Sequence, residues 1–240
     1  MHAEDIDLPV ADGRVIRAHL ARPDDAKDAP AVMVLHEIMG LNDDIRRITQ
    51  RFAQQGYVAL APDSFTGLGP MPFCIARCMG QIKRGEGPVV ADALAAREWL
   101  MANAQTDGKR VGVIGFCMGG GFALLLGGLG EFGAAAPFYG DMPKNDDTVK
   151  QLCPVVGGYG SRDLHFARKA RKLKTRLTEL GIPHDVQIYD GVGHSFMSEQ
   201  PLWAAPLVVL SNLTPFKWGH DADAAQDSWK RVLGFFDEHL

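Results

Sequence analysis

The chain reads as an α/β protein, with a mostly parallel, twisted sheet carrying helices on both faces. Short β-rich apolar runs alternate with helix-length stretches, the pattern of parallel strands joined by crossover helices. The 240 residues, 46% hydrophobic and 22% charged, suit one large-cored domain over 1–240. No repeat, low-complexity tract or linker interrupts the alternation.

In order, Val15 to Leu20 and the uninterrupted apolar run "AVMVL" at Ala31 to Leu35 are strands. Asp43 to Gln55 is helical and Tyr57 to Ala61 is the next strand. The segment 64–87, "SFTGLGPMPFCIARCMGQIKRGEG", breaks the rhythm. Long and punctuated by Gly and Pro, it reads as an insertion, and loops of that length in a compact domain are functional or disordered.

A helix over Pro88 to Ala104 leads to the strand Val111 to Gly115, the helix Met118 to Leu126, and the strands Ala134 to Tyr139 and Pro154 to Gly158. "HFARKARKLKTRLTEL", His165 to Leu180, sets Phe166, Ala170, Leu173, Leu177 and Leu180 at helical spacing, with its cations mostly on the solvated face. After the strand Val186 to Tyr189 comes a second insertion, 199–219, whose apolar and aromatic content argues against disorder. Trp229, Val232, Leu233 and Phe236 mark the terminal helix, Asp223 to His239.

Composition excludes several classes. A net charge of −4 offers no general attraction to nucleic acid or anionic membranes. "MHAEDIDLPV" carries acids where a signal peptide needs a basic flank, and no apolar run approaches the roughly 20 residues of a membrane span, so a cytoplasmic protein is expected. Cys74, Cys78, Cys117 and Cys153 lack CxxC or Cys/His metal spacing, so free thiols and no metal or organic cofactor are expected. "NLT" at Asn212 is a chance match to a glycosylation acceptor.

In an open parallel sheet, ligands meet the crevice beyond the carboxyl ends of the strands. Four stretches fall there: "HEIMG", "GFCMGG", "GSRD" and "GVGHSF". "GFCMG" has the form G-x-nucleophile-x-G, a tight strand-to-helix turn in which Gly115, Gly119 and Gly120 leave room for the bend and expose the central side chain. Cys117 then sits at a helix start, whose N–H groups favour a thiolate and can hold an oxyanion. A buried inert cysteine in a Gly-rich turn is the plainer reading. A dinucleotide fingerprint fits poorly, because the glycines do not align to G-x-G-x-x-G and no acidic strand end follows about 20 residues on.

The order of the other groups decides the matter. Cys117, Asp163 and His194 arrive as nucleophile, acid and base, each at a strand's carboxyl end. Asp163 would accept the second ring N–H of His194, with Asp190 as the weaker candidate. The plainer alternatives are a surface histidine and an N-capping aspartate.

The four motifs together resemble the dienelactone hydrolase (carboxymethylenebutenolidase) family of α/β-hydrolases over nearly the whole chain. The resemblance implies an α/β-hydrolase fold and a triad of Cys117, Asp163 and His194. It implies that Glu37 holds the resting thiol and swings away when substrate binds, and that the N–H groups of Met118 and Ile38 form the oxyanion hole. Members commonly carry an arginine four residues beyond the histidine, as HSFxR, to clamp the substrate carboxylate. Here "HSFMS" places Ser198 at that position, and Arg77, Lys83 or Arg84 of the first insertion stand as alternative cations.

Trp203, Phe216 or Trp218 of the second insertion would line an apolar pocket beneath a lid, with a dimer patch as the rival reading. The expected activity is hydrolysis of a small ester or lactone of dienelactone type through a thioester. The alternatives are a broader carboxylesterase or thioesterase for hydrophobic substrates, or a non-catalytic ligand-binding or redox-sensing relative that pairs Cys117 with Cys74 or Cys78. The expected partner is the small-molecule ester or lactone, with no nucleic acid and no membrane, and the protein is expected as a monomer or homodimer.

Overall fold

The apolar runs of the sequence lie side by side in one sheet, in a computed structural model that describes residues 1–10, 12–67, 71–104, 110–200, 205–212 and 217–240. The strands are β1 (His2–Pro9), β2 (Val15–Arg22), β3 (Ala31–Leu35), β4 (Val58–Pro62), β5 (Val111–Phe116), β6 (Ala134–Phe138), β7 (Val155–Gly160) and β8 (His184–Tyr189). Their spatial order is β1-β2-β4-β3-β5-β6-β7-β8. β1 and β2 are antiparallel to their neighbours and the rest run parallel. The order turns at β3, which lies between β4 and β5, and crevices form at such a switch.

The helices are α1 (Asp43–Gln54), α2 (Met71–Arg84), α3 (Pro88–Ala104), α4 (Met118–Gly127), α5 (Asp146–Lys150), α6 (Leu164–Leu180), α7 (Ala205–Asn212) and α8 (Ala222–His239). They cover both faces, which is why the central strands are apolar throughout rather than alternating. Along β3, Ala31, Met33 and Leu35 face a core shared with α3 and α4, whereas Val32 and Val34 face a core shared with α1 and α8. A third cluster joins α6 to β7 through Leu173, Leu177, Val155 and Tyr159. Among the described residues no helix is long and apolar enough to cross a membrane.

α8 sits on β5 at Gly112, where an added Cβ would lie 3.1 Å from the Phe236 ring. Phe236 is fully buried and packs its ring 6.2 Å from Phe52. Phe236→Ala is expected to cost about 3–5 kcal/mol, measured as a lower midpoint in urea unfolding with an unchanged slope.

Two elements differ from the sequence reading. β1 is a strand that the sequence did not announce, because "HAEDIDLP" buries only Leu8 and forms the charged edge of the sheet. The first insertion is no loop over most of its length. Met71–Arg84 is a helix, and Cys74, Cys78 and Ile82, four residues apart, form its buried stripe. Ile82 meets α4 at Gly121, where an added Cβ would lie 3.1 Å from it. In the second insertion only Ala205–Asn212 is helical among the described residues.

Candidate active site

β5 ends at Phe116 and α4 starts at Met118, leaving Cys117 alone at the bend with φ +52° and ψ −111°. Such a backbone costs a non-glycine residue on the order of 1–3 kcal/mol and persists only where the surroundings enforce it. Here three glycines enforce it. A Cβ on Gly115 would fall 2.0 Å from the Gly119 carbonyl oxygen, one on Gly119 2.3 Å from the Leu35 oxygen, and one on Gly120 2.6 Å from the Phe138 oxygen. The Cys117 N–H donates to the Phe138 carbonyl at 3.0 Å, fixing the bend against β6.

His194 lies on the loop after β8 and presents its ring to that bend. Its Nδ1 is 2.5 Å from Asp163 Oδ2, and the Cys117 side chain lies close enough to favour the charged ring. Burial opposes charge on the imidazole, yet the Asp163 and Cys117 partners outweigh it and raise the pKa to about 10. The ring is flanked by Tyr139 at 5.0 Å and Phe166 at 5.2 Å between centroids.

Asp163 stands at the N-cap position of α6 but makes no capping bond with its side chain, so its carboxylate serves the histidine instead. Its Oδ1 is buried without a hydrogen-bond partner among the described residues. Asp190, the rival acid, is exposed and accepts from Ser161 at 3.1 Å.

A group whose folded pKa is raised contributes stability that is full below its unfolded value and vanishes as pH rises through the folded one. For His194 that window runs from 6.5 to about 10. Asp163→Asn should therefore destabilise the protein most near pH 6, with the gap to wild type closing by about pH 10. Melting temperatures across that range check this, and a gap independent of pH would contradict it.

The second insertion returns to brace the histidine. The His194 N–H donates to the Lys217 carbonyl at 2.7 Å, the Gly219 N–H donates to the His194 carbonyl at 3.0 Å, and His194 forms a parallel bridge with Trp218. Gly193 is required at this crossing, because a Cβ there would fall 1.7 Å from the Lys217 oxygen. Trp203 and Phe216, expected to line a pocket, lie outside the described residues.

Glu37 follows β3, next to the buried His36. The Ser64 N–H donates to His36 Nε2 at 3.0 Å, so the neutral ring carries its proton on Nδ1 and donates it to the Glu37 carbonyl at 2.7 Å. That carbonyl also accepts from the Gly40 N–H at 3.1 Å, closing a turn that leaves Ile38 39% exposed. Met118, the first residue of α4, has an N–H with no acceptor inside its own helix. The close approach of Gly119 to the Leu35 and His36 carbonyls puts this turn beside the start of α4.

The Glu37 carboxylate differs from expectation. It accepts from Ser198 Oγ at 2.9 Å, with Ser195 also favouring its ionised form, and among the described residues no hydrogen bond joins it to Cys117. Burial raises its pKa, against the opposing influence of His194 and the two serines.

Ser198 is buried within this network, whereas Arg77, Lys83 and Arg84 are exposed on α2. Cys74 and Cys78 are buried, and burial pushes the Cys78 thiol up to about 11. Sequence reasoning missed Tyr139, whose hydroxyl lies 3.1 Å from Ser198 Oγ. Its place at the end of "AAAPFYG" made it look like the last strand residue.

An eight-stranded, mostly parallel sheet with helices on both faces, and a glycine-braced bend after β5, define an α/β-hydrolase. Residues 16–240 match the model of the dienelactone hydrolase family, and the chain belongs to that family of ester hydrolases. A candidate carboxymethylenebutenolidase of Methylorubrum extorquens is 27% identical, over 99% of this chain and 81% of that one. Protein usf of Aquifex pyrophilus is 29% identical, over 95% of each chain. In fold, the chain is similar to a dienelactone hydrolase-like promiscuous phosphotriesterase from metagenomic libraries. The TM-score is 0.78 at 24% identity, covering 100% of this chain and 99% of that one.

Proposed function

We propose that the chain is a single hydrolase domain that cleaves small neutral esters or lactones, with Cys117 as nucleophile. Cys117 passes its thiol proton to His194 as the sulfur attacks the carbonyl carbon, and the Met118 and Ile38 N–H groups hold the oxyanion. His194 gives its proton to the leaving oxygen as the C–O bond breaks, leaving a thioester. His194 then takes a proton from water, which attacks the thioester, releases the acid and restores the thiol. Asp163 fixes the ring's orientation and favours the imidazolium.

The observation that carries this reading is an imidazole held by a buried carboxylate and within electrostatic reach of a cysteine at a strained, glycine-enforced bend. A neutral substrate is favoured because the position of the expected arginine is occupied by Ser198, itself committed to Glu37. Ile38, Met39 and Leu164, each within one or two residues of the candidate groups, are exposed and apolar, which suits an uncharged acyl or alcohol part. The burial of Cys74 and Cys78 disfavours a thiol switch with Cys117.

Acid quenching during turnover of an activated ester should trap one acyl group, found by mass spectrometry on the peptide containing Cys117. Turnover with an acyl group on any other residue, or on none, refutes the assignment. In a panel of matched esters, free-carboxylate substrates should be slower than their neutral analogues.

A further inference from the structure

Three hydroxyl-bearing residues surround Glu37, and their order of donation is fixed by chemistry. An ionised carboxylate only accepts, so Ser198 Oγ donates to Glu37 Oε1 across 2.9 Å. With its own proton committed, Ser198 Oγ accepts from the Tyr139 hydroxyl across 3.1 Å. Ser195 is close enough to favour the ionised form of the same carboxylate.

The relay is rigid at its far end. Tyr139 is fully buried at φ +40°, its N–H donates to the Gly158 carbonyl at 2.9 Å, and its ring packs 5.4 Å from Phe196. Ser198 is tied by its N–H to the Ser195 carbonyl at 3.2 Å, on the loop that carries His194.

Glu37 and Cys117 both perturb Tyr139, and His194 perturbs Glu37, so the carboxylate stands within electrostatic reach of the candidate catalytic groups. Asp44, at the start of α1, is the other ionisable group acting on Glu37. A carboxylate free to turn would compete with His194 for the thiol proton, and a second anion beside the sulfur opposes a thiolate.

From this geometry we infer that Tyr139 and Ser198 are positioning residues that hold Glu37 off Cys117 in the substrate-free enzyme. The thiol then stays paired with His194 before any substrate arrives. The inference rests on the proposed role of Cys117 and adds that activation needs no charged group on the substrate.

The test is the rate at which iodoacetamide alkylates Cys117 in the free protein, read by mass at its own peptide. Ser198→Ala should slow alkylation by about 10-fold, the equivalent of one lost hydrogen bond to a charged group, and Tyr139→Phe by about 3-fold. Ser198→Thr, which keeps the hydroxyl, should stay within about 2-fold of wild type if the hydroxyl alone is responsible. In a Glu37→Gln background, Ser198→Ala should have little further effect, because the relay acts through the carboxylate.

Alkylation of Ser198→Ala at the wild-type rate overturns the inference. So does an equal loss with and without Glu37, which would mark a purely structural serine. Alkylation is read apart from turnover, so ester hydrolysis surviving in Cys117→Ala would separately remove the proposed function.

Discussion

Cys117→Ala is expected to lower kcat for an activated ester by at least about 10⁴-fold, the scale seen when a nucleophile is removed from a coupled catalytic group. The acyl group trapped by acid quenching should disappear with it. The backbone at position 117 is strained for alanine as it is for cysteine, so the comparison isolates the sulfur. The variant should melt within a few degrees of wild type, and circular dichroism would confirm an unchanged fold. Any residual rate above water would come from the oxyanion donors and substrate binding. Turnover within 10-fold of wild type would mean that another group does the chemistry.

Gly115→Ala tests the bend rather than the thiol. The new methyl would lie 2.0 Å from the Gly119 carbonyl oxygen and 2.9 Å from the Gly120 nitrogen, both backbone atoms with no rotamer to adjust. Relief requires α4 to move off β5. Overpacking of this kind costs about 1–3 kcal/mol or more, and a shift of 1 Å at the nucleophile costs about 10²-fold in rate. Gly234 on α8 is the matched control, because nothing lies within 4 Å of an added Cβ there. Gly234→Ala should be neutral or stabilising by up to about 1 kcal/mol. If Gly115→Ala matched this control in melting temperature and rate, the steric account of the bend would fail.

Much of this architecture was legible because two faces of helices bury the central strands, so β3 and β5 appear as unbroken apolar runs. β1 was not, because an edge strand that buries one residue in eight leaves no apolar pattern. α2 was hidden by the Gly- and Pro-rich stretch at its start, which outweighed the three-residue stripe of Cys74, Cys78 and Ile82.

At the site, Cys117, Asp163 and His194 could be found because each follows a strand and their order is informative. The partner of Glu37 could not. It is set by a serine 161 residues away, and no local signal in either segment records which side chain the carboxylate will meet.

The distribution of the four cysteines has a practical consequence for anyone handling the protein. Cys74 and Cys78 are sealed in the core; Cys117 and Cys153 are both partly open, but burial pushes the Cys153 thiol up to about 12, which leaves it almost no reactive thiolate at neutral pH. A chromogenic disulfide reagent should therefore count one rapid equivalent per native chain and four after guanidine. That ratio gives a quick assay of how much of a preparation is intact, and a dye or affinity handle could be attached at a single known place.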